Sequence, residues 1–160
     1  MGRLGGGLLS LETELLTEQR VGFEVPMADQ TILVVDDEPA DLDKARKSLE
    51  TLGFTVLTAG DGVSAIKAYR DRGHPVELLI TDVAMAPMNG CDLALRLSKY
   101  QENIKVLFVS GYTGSQVLTR EGMRGLDAEF LRKPFTGEQL ANTVRAILGA
   151  GQKQSAGSQE

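Results

Sequence analysis

The chain predicts an α/β fold built on a doubly wound parallel sheet. Three stretches, Ile32-Leu33-Val34-Val35, Leu78-Leu79-Ile80 and Val106-Leu107-Phe108-Val109, are continuously apolar rather than alternating. That is the pattern of strands covered by helices on both faces of a sheet. The segments between them carry apolar residues at helical spacing, so strand and helix alternate along the chain. A third observation concerns the strand ends. Asp36-Asp37 follow the first run, Asp82 the second and Ser110 the third, and Lys133-Pro134 close a fourth. In an open parallel sheet, sites lie in the crevice beyond those carboxyl ends.

The elements follow in order. Residues 1–29 differ from the rest: Gly5-Gly6-Gly7 precede an alternating pattern of Leu9, Leu11, Thr13 and Leu15, then of Val21, Phe23 and Val25. This is a hairpin signature with no sheet to join. The compact domain is expected over residues 30–149. After the first strand, Pro39 suits a first-turn position, and Leu42, Ala45, Leu49 and Leu52 recur at helical spacing until Gly53. Residues 54–58 form a short strand. A second helix spans residues 62–72, with Val63, Ile66 and Ala68 as inward candidates, and stops at Gly73. Residues 91–100 and 137–148 are further helices, the latter with an apolar stripe of Leu140, Val144, Ile147 and Leu148. Residues 113–126 hold the weakest helix, the fourth of five, because three glycines interrupt it. Residues 150–160 are rich in Gly, Ser and Gln and read as a flexible tail.

A length of 160 residues, with 42% hydrophobic and 24% charged, suits one globular domain with a full core plus some tail. The net charge is -5, from 17 Lys and Arg against 22 Asp and Glu. No basic run or aromatic-basic interleaving is evident in the sequence, which argues against nucleic acid as a partner. Cys91 is the single cysteine, which excludes an internal disulfide and suits a reduced thiol packed in a helix. No apolar stretch reaches membrane-spanning length, so no membrane contact and a cytoplasmic location are expected. His74 precedes Pro75, a setting that disfavours helix, so an exposed loop residue is expected rather than a phosphodonor.

If the runs are neighbouring strands, their ends gather three carboxylates, a hydroxyl and an ammonium. Like charges held close in a partly desolvated pocket take up protons or are neutralised by a cation. Hard anionic oxygens favour Mg2+, which also bridges well to phosphoryl oxygens. Asp82 would then be a nucleophile that accepts a phosphoryl group as an acyl phosphate, with Lys133 as the fixed cation. Ser110 can donate its hydroxyl to a phosphoryl oxygen, a bond that exists only after transfer and can bias a switch. Alone, Asp36-Asp37 before Glu38-Pro39 would serve as a helix start with favourable charge.

The four stretches, residues 32–39, 79–90, 106–112 and 130–135, together resemble the receiver domain of two-component response regulators. Four ordered motifs across about three quarters of the chain are far more specific than any one of them. The resemblance implies a flavodoxin-like fold: a five-stranded sheet of order 2-1-3-4-5 flanked by five helices. It implies Asp82 as the phosphorylated aspartate, Asp36 and Asp37 as the acidic pair, and Lys133 as the fixed lysine. It further implies Mg2+ held by Asp37, Asp82 and the Ala84 backbone carbonyl, with Asp36 acting through water. Ser110 becomes the switch hydroxyl and Phe130 the aromatic switch, whose ring turns inward when Ser110 moves, and the Lys133-Pro134 bond is cis. The implied partner is a histidine kinase or a histidine phosphotransfer protein. The switching face comprises the fourth helix, fifth strand and fifth helix, and its output partner is unknown. For residues 1–29 two readings stand: a disordered leader, or the last hairpin of a histidine-kinase ATP-binding domain. The second makes this the terminal receiver of a hybrid sensor kinase. The first makes it a stand-alone regulator whose output is an interaction, since no output domain is expected after the tail.

The sequence departs from the family pattern in the loop after Asp82, where Met85-Ala86-Pro87 shifts the proline by one. Ala84 and Tyr112 stand where side chains influence how water reaches an acyl phosphate. Ala84 offers no group to orient that water, so slow self-dephosphorylation is expected. Two other functions are weighed beside this one. A phosphatase using an aspartyl nucleophile would place a second acid two residues beyond it, and Ala84 stands there. A degenerate receiver that only binds proteins would not keep the acid pair, Asp82 and Lys133 together.

Overall fold

The computed structural model describes residues 30–111 and 125–157. The expected hairpin in residues 1–29, Tyr112 and most of the expected fourth helix lie outside the described residues. Five strands and four helices follow one another along the described residues: β1 (Thr31–Val35), α1 (Pro39–Thr51), β2 (Thr55–Ala59), α2 (Gly62–Arg72), β3 (Leu78–Asp82), α3 (Gly90–Tyr100), β4 (Lys105–Ser110), β5 (Asp127–Arg132) and α4 (Gly137–Gly157). The strands form one sheet in the order β2-β1-β3-β4-β5, with every neighbouring pair parallel. This is the expected doubly wound arrangement.

β1, β3 and β4 are interior strands, and their sequences show why. On β1, Ile32 and Val34 face one layer while Leu33 and Val35 face the other, and all four are buried. A strand covered on both sides needs apolar residues at every position. Ile32 and Val34 pack with Ala45 and Leu49 of α1 and with Leu140 and Val144 of α4. Leu33 and Val35 pack with Ala65 of α2 and with Leu93 and Leu97 of α3. Each fully buried side chain of this size contributes about 1.5–3 kcal/mol. β5 is an edge strand, and exposed Asp127, Glu129 and Arg132 alternate there with half-buried Ala128 and Leu131.

Helix boundaries follow local chemistry. Pro39 occupies the first turn of α1, where its missing N–H is not needed. Asp61 caps α2 by accepting from the Ser64 N–H at 2.7 Å, and Asn89 caps α3 by accepting from the Asp92 N–H at 2.8 Å. Gly73 ends α2 in the left-handed region at φ 74°, a conformation that suits glycine.

Two expectations need correction. Val63 does not face inward but is 61% exposed. Asp61 sets the helix start so that the stripe at helical spacing is Gly62, Ala65, Ile66 and Tyr69, and Val63 falls just outside it. The last helix does not stop at Leu148, and its backbone continues to Gly157. Propagation of a helix gains one hydrogen bond for each residue fixed, whereas nucleation fixes several for one bond, so a helix already nucleated by packed turns can run on past Gly149.

Candidate acidic site at the carboxyl edge of the sheet

The strand order reverses between β1 and β3, and the two strands end side by side. Val35 pairs with Thr81, so Asp36 and Asp82 leave the sheet at the same level. The Asp36 N–H donates to the Ala59 carbonyl at 3.2 Å, which fixes the end of β1 against β2. The Val83 N–H donates to the Val109 carbonyl at 3.1 Å, which holds the end of β3 against β4. At the far edge, the Lys133 N–H donates to the Ser110 carbonyl at 2.8 Å. The backbone thereby places residues from four strands at one rim.

Asp36 and Asp82 are buried there, 4% and 7% exposed, while Asp37 is exposed. One carboxylate oxygen from each of the three lies within 4.8 Å of the others. Lys133 reaches in from the end of β5, and its Nζ donates to Asp36 Oδ2 at 2.9 Å and to Asp82 Oδ2 at 3.0 Å. The other Asp82 oxygen, Oδ1, accepts from the Ala84 N–H at 3.0 Å. Asp36 Oδ1 accepts from the Glu38 N–H at 2.9 Å. Both buried carboxylates are thus held at both oxygens.

Electrostatics follow from this packing. Burial opposes the Lys133 charge, but the hydrogen bonds and charges of Asp36 and Asp82 together more than offset it, holding the ammonium above the ordinary lysine range. For Asp36, burial is the largest influence and outweighs the Lys133 hydrogen bond, so its carboxyl is pushed above the ordinary 3.8. An anionic cluster with one desolvated member that resists ionisation fits a hard divalent cation, which would lower that resistance.

The expected residues divide into two groups. Asp36, Asp37, Asp82 and Lys133 come together directly. Ser110 is buried at the end of β4, but its hydroxyl donates to the Gly111 carbonyl at 3.1 Å rather than to an acid. Phe130 pairs across the strands with Phe108 and is 38% exposed, so its ring is directed outward rather than into the core. The Lys133-Pro134 bond is cis, as expected, and so is Ala86-Pro87 in the loop that departs from the family pattern.

Sequence reasoning missed two neighbours. Asp41 Oδ2 in the first turn of α1 lies 3.2 Å from Lys133 Nζ. No local spacing signals it, because Asp41 is simply an acid in the first turn of α1 and its partner is remote in the chain. Lys44, one turn further, donates to the Phe135 carbonyl at 2.9 Å and lies 5.1 Å from the Phe135 ring centroid. It ties the segment after Lys133 to α1. Gly90 is required for a different reason: a Cβ there would overlap the Asp82 carbonyl oxygen.

Comparison with known proteins decides the family. Residues 32–145 match the model of the response regulator receiver domain. The chain belongs to that family. Among curated relatives, this receiver domain is 36% identical over 118 residues to the sensor kinase CckA of Brucella abortus (strain 2308), covering 74% of this chain and 12% of that protein. It is 32% identical over 120 residues to the response regulator receiver protein CpdR of the same strain, covering 73% of this chain and 95% of that one. The crystal structure of the receiver domain from the hybrid histidine kinase CckA superposes with a TM-score of 0.61 at 30% identity, over 74% of this chain and 98% of that one. The receiver domain spans under a sixth of the sensor kinases it matches and about half of a transcriptional regulator such as TcrX of Mycobacterium tuberculosis. Among the described residues no helix is long and apolar enough to cross a membrane.

Proposed function

We propose that this receiver domain accepts a phosphoryl group on Asp82 from a histidine kinase or a histidine phosphotransfer protein in the cytoplasm. The observation that carries the reading is the Asp82 carboxylate, buried, oriented by Lys133 and the Ala84 N–H, and faced by Asp36 and Asp37. Asp37, Asp82 and the Ala84 carbonyl would hold Mg2+, with Asp36 acting through water. When bound, the ion offsets the negative charge of the acids and of the incoming phosphoryl oxygens.

Asp82 supplies the electron pair. One of its oxygens forms the new P–O bond while the P–N bond to the donor imidazole breaks, and the leaving nitrogen keeps that pair. Lys133 stays near the carboxylate throughout and meets charge on the equatorial oxygens. In the product, the Ser110 hydroxyl turns from the Gly111 carbonyl to a phosphoryl oxygen. Phe130 then rotates inward and changes the face of β5, α4 and the segment joining β4 to β5. Ala84 presents no side chain to orient attacking water, so the acyl phosphate is long-lived. Similarity to both a sensor kinase and a stand-alone receiver protein supports either parent context. The first keeps residues 1–29 as the last hairpin of an ATP-binding domain.

Amide NMR spectra with Mg2+, before and after beryllofluoride, test this reading on the wild type and on Asp82→Asn. Shifts that spread from Asp82 to Ser110, Phe130 and α4 in the wild type alone are expected. Identical responses in the two proteins would leave only a phosphorylation-independent binding module.

A further inference from the structure

Away from the acidic rim, α2 and α3 lie side by side on one layer. Between them runs a groove of about 760 Å³ lined by Ile66, Arg70, Arg96, Lys99 and Tyr100. It continues past Val63 and Met88 at one end and past Tyr69 and His74 at the other. Both helices connect parallel strands, so they run in the same direction and the groove follows their length, roughly 16 Å for eleven residues.

Its charge is unusual for this chain. The protein carries a net charge of -5, yet three cations converge on the groove. Lys67 at its border is paired with Asp71 at 2.6 Å. Arg70, Arg96 and Lys99 have no acidic partner among the described residues. Apolar surface is interleaved with them: Tyr100 is 56% exposed, and the Arg70 guanidinium lies 6.0 Å from its ring centroid. Tyr69 packs against that ring in a tilted pair, with centroids 6.1 Å apart. Uncompensated like charges repel, and an anionic partner relieves that repulsion. Exposed Tyr and Arg are also the side chains that anchor protein interfaces most strongly.

We propose that the α2–α3 groove docks an acidic segment of a partner protein that also carries a bulky apolar side chain. Carboxylates of the segment meet Arg70, Arg96 and Lys99, and the apolar side chain lies on Tyr100 and Ile66. An elongated segment suits the groove better than a single nucleotide, which would fill only a part of its length. The cations and the tyrosine of the groove are not among the residues of the acidic rim or of the face of β5 and α4, so docking is expected without phosphorylation of Asp82.

The test is a selection from a random displayed-peptide library on the full chain, with counter-selection on an Arg70→Glu/Arg96→Glu variant. Enriched peptides are expected to be acidic with an aromatic or leucine residue, and to shift the amides of Ile66, Arg70, Arg96, Lys99 and Tyr100. Affinity should fall tenfold or more in the double variant and in Lys99→Glu, which guards against misfolding of either, and be unchanged in Asp82→Asn. Binders that ignore these reversals or map elsewhere would overturn the proposal. Displacement of the peptide by ATP at equal affinity would also overturn it, in favour of a nucleotide site.

Discussion

Lys133 is held by Asp41 as well as by the two buried acids, with Nζ 3.2 Å from Asp41 Oδ2. Asp41 is more exposed than Asp36 or Asp82 and sits on α1 rather than at a strand end. It therefore shares the ammonium with Asp36 and Asp82, and a phosphoryl group on Asp82 would compete with it for Lys133. A partly exposed ion pair is worth at most about 1 kcal/mol. Asp41→Asn is expected to lengthen the acyl-phosphate lifetime by up to about fivefold. Decay after loading with acetyl phosphate reads this directly, and an unchanged or shorter lifetime would remove Asp41 from the account.

Asp36 gives a pH-dependent prediction. Its carboxyl is pushed above 3.8, chiefly by burial, so folding favours the protonated form. That contribution is fully present below the ordinary value and is lost as pH rises through the raised one. At neutral pH without a divalent cation the ionised group opposes folding, and Asp36→Asn should be the more stable protein. A rise of a few degrees in Tm, equivalent to about 1 kcal/mol, is expected. Calorimetry in chelator from about pH 4 to about pH 8 should show the gap widening with pH. A variant no more stable than the wild type at the upper end would contradict this.

Gly90 tests how tightly α3 is seated on the acceptor strand. A Cβ at this position would overlap backbone of Asp82, which cannot swing aside as a side chain would. Gly90→Ala is expected to destabilise the fold by about 1–3 kcal/mol and to weaken beryllofluoride binding with it. Urea unfolding and the fluoride titration measure the two effects. Wild-type values in both would mean that the close approach relaxes without consequence.

Phe130 separates switching from stability. Because its ring is partly exposed, truncation to Ala should cost no more than about 1 kcal/mol. The shifts that reach α4 after beryllofluoride should nevertheless disappear, while those beside Asp82 persist. Equal propagation in Phe130→Ala would rule out the ring as the relay.

Much of the fold and of the acidic rim was legible in the sequence. β1, β3 and β4 announce themselves because a strand covered on both faces must be apolar throughout, as Ile32 to Val35 are. The site was legible because strand ends in this topology converge, so Asp36, Asp82 and Lys133 could be placed together from their positions alone. Val63 was misplaced because helix phase depends on which residue caps the start, and Asp61 rather than the apolar pattern sets it. Asp41 was overlooked because its partner is remote in sequence and only the docking of α1 beside the end of β5 brings them together. The end of α4 was misjudged because Gly149 and Gly151 are local stop signals that a packed helix can override.

The most direct measurement traps the acyl phosphate chemically. After incubation with acetyl phosphate and Mg2+, borohydride reduction converts a phosphorylated aspartate to homoserine, which peptide mass spectrometry locates. Homoserine at position 82, absent without Mg2+ and absent in Asp82→Asn, is the predicted result. Homoserine at Asp36 or Asp37, or none at any position in the wild type, would contradict Asp82 as the acceptor.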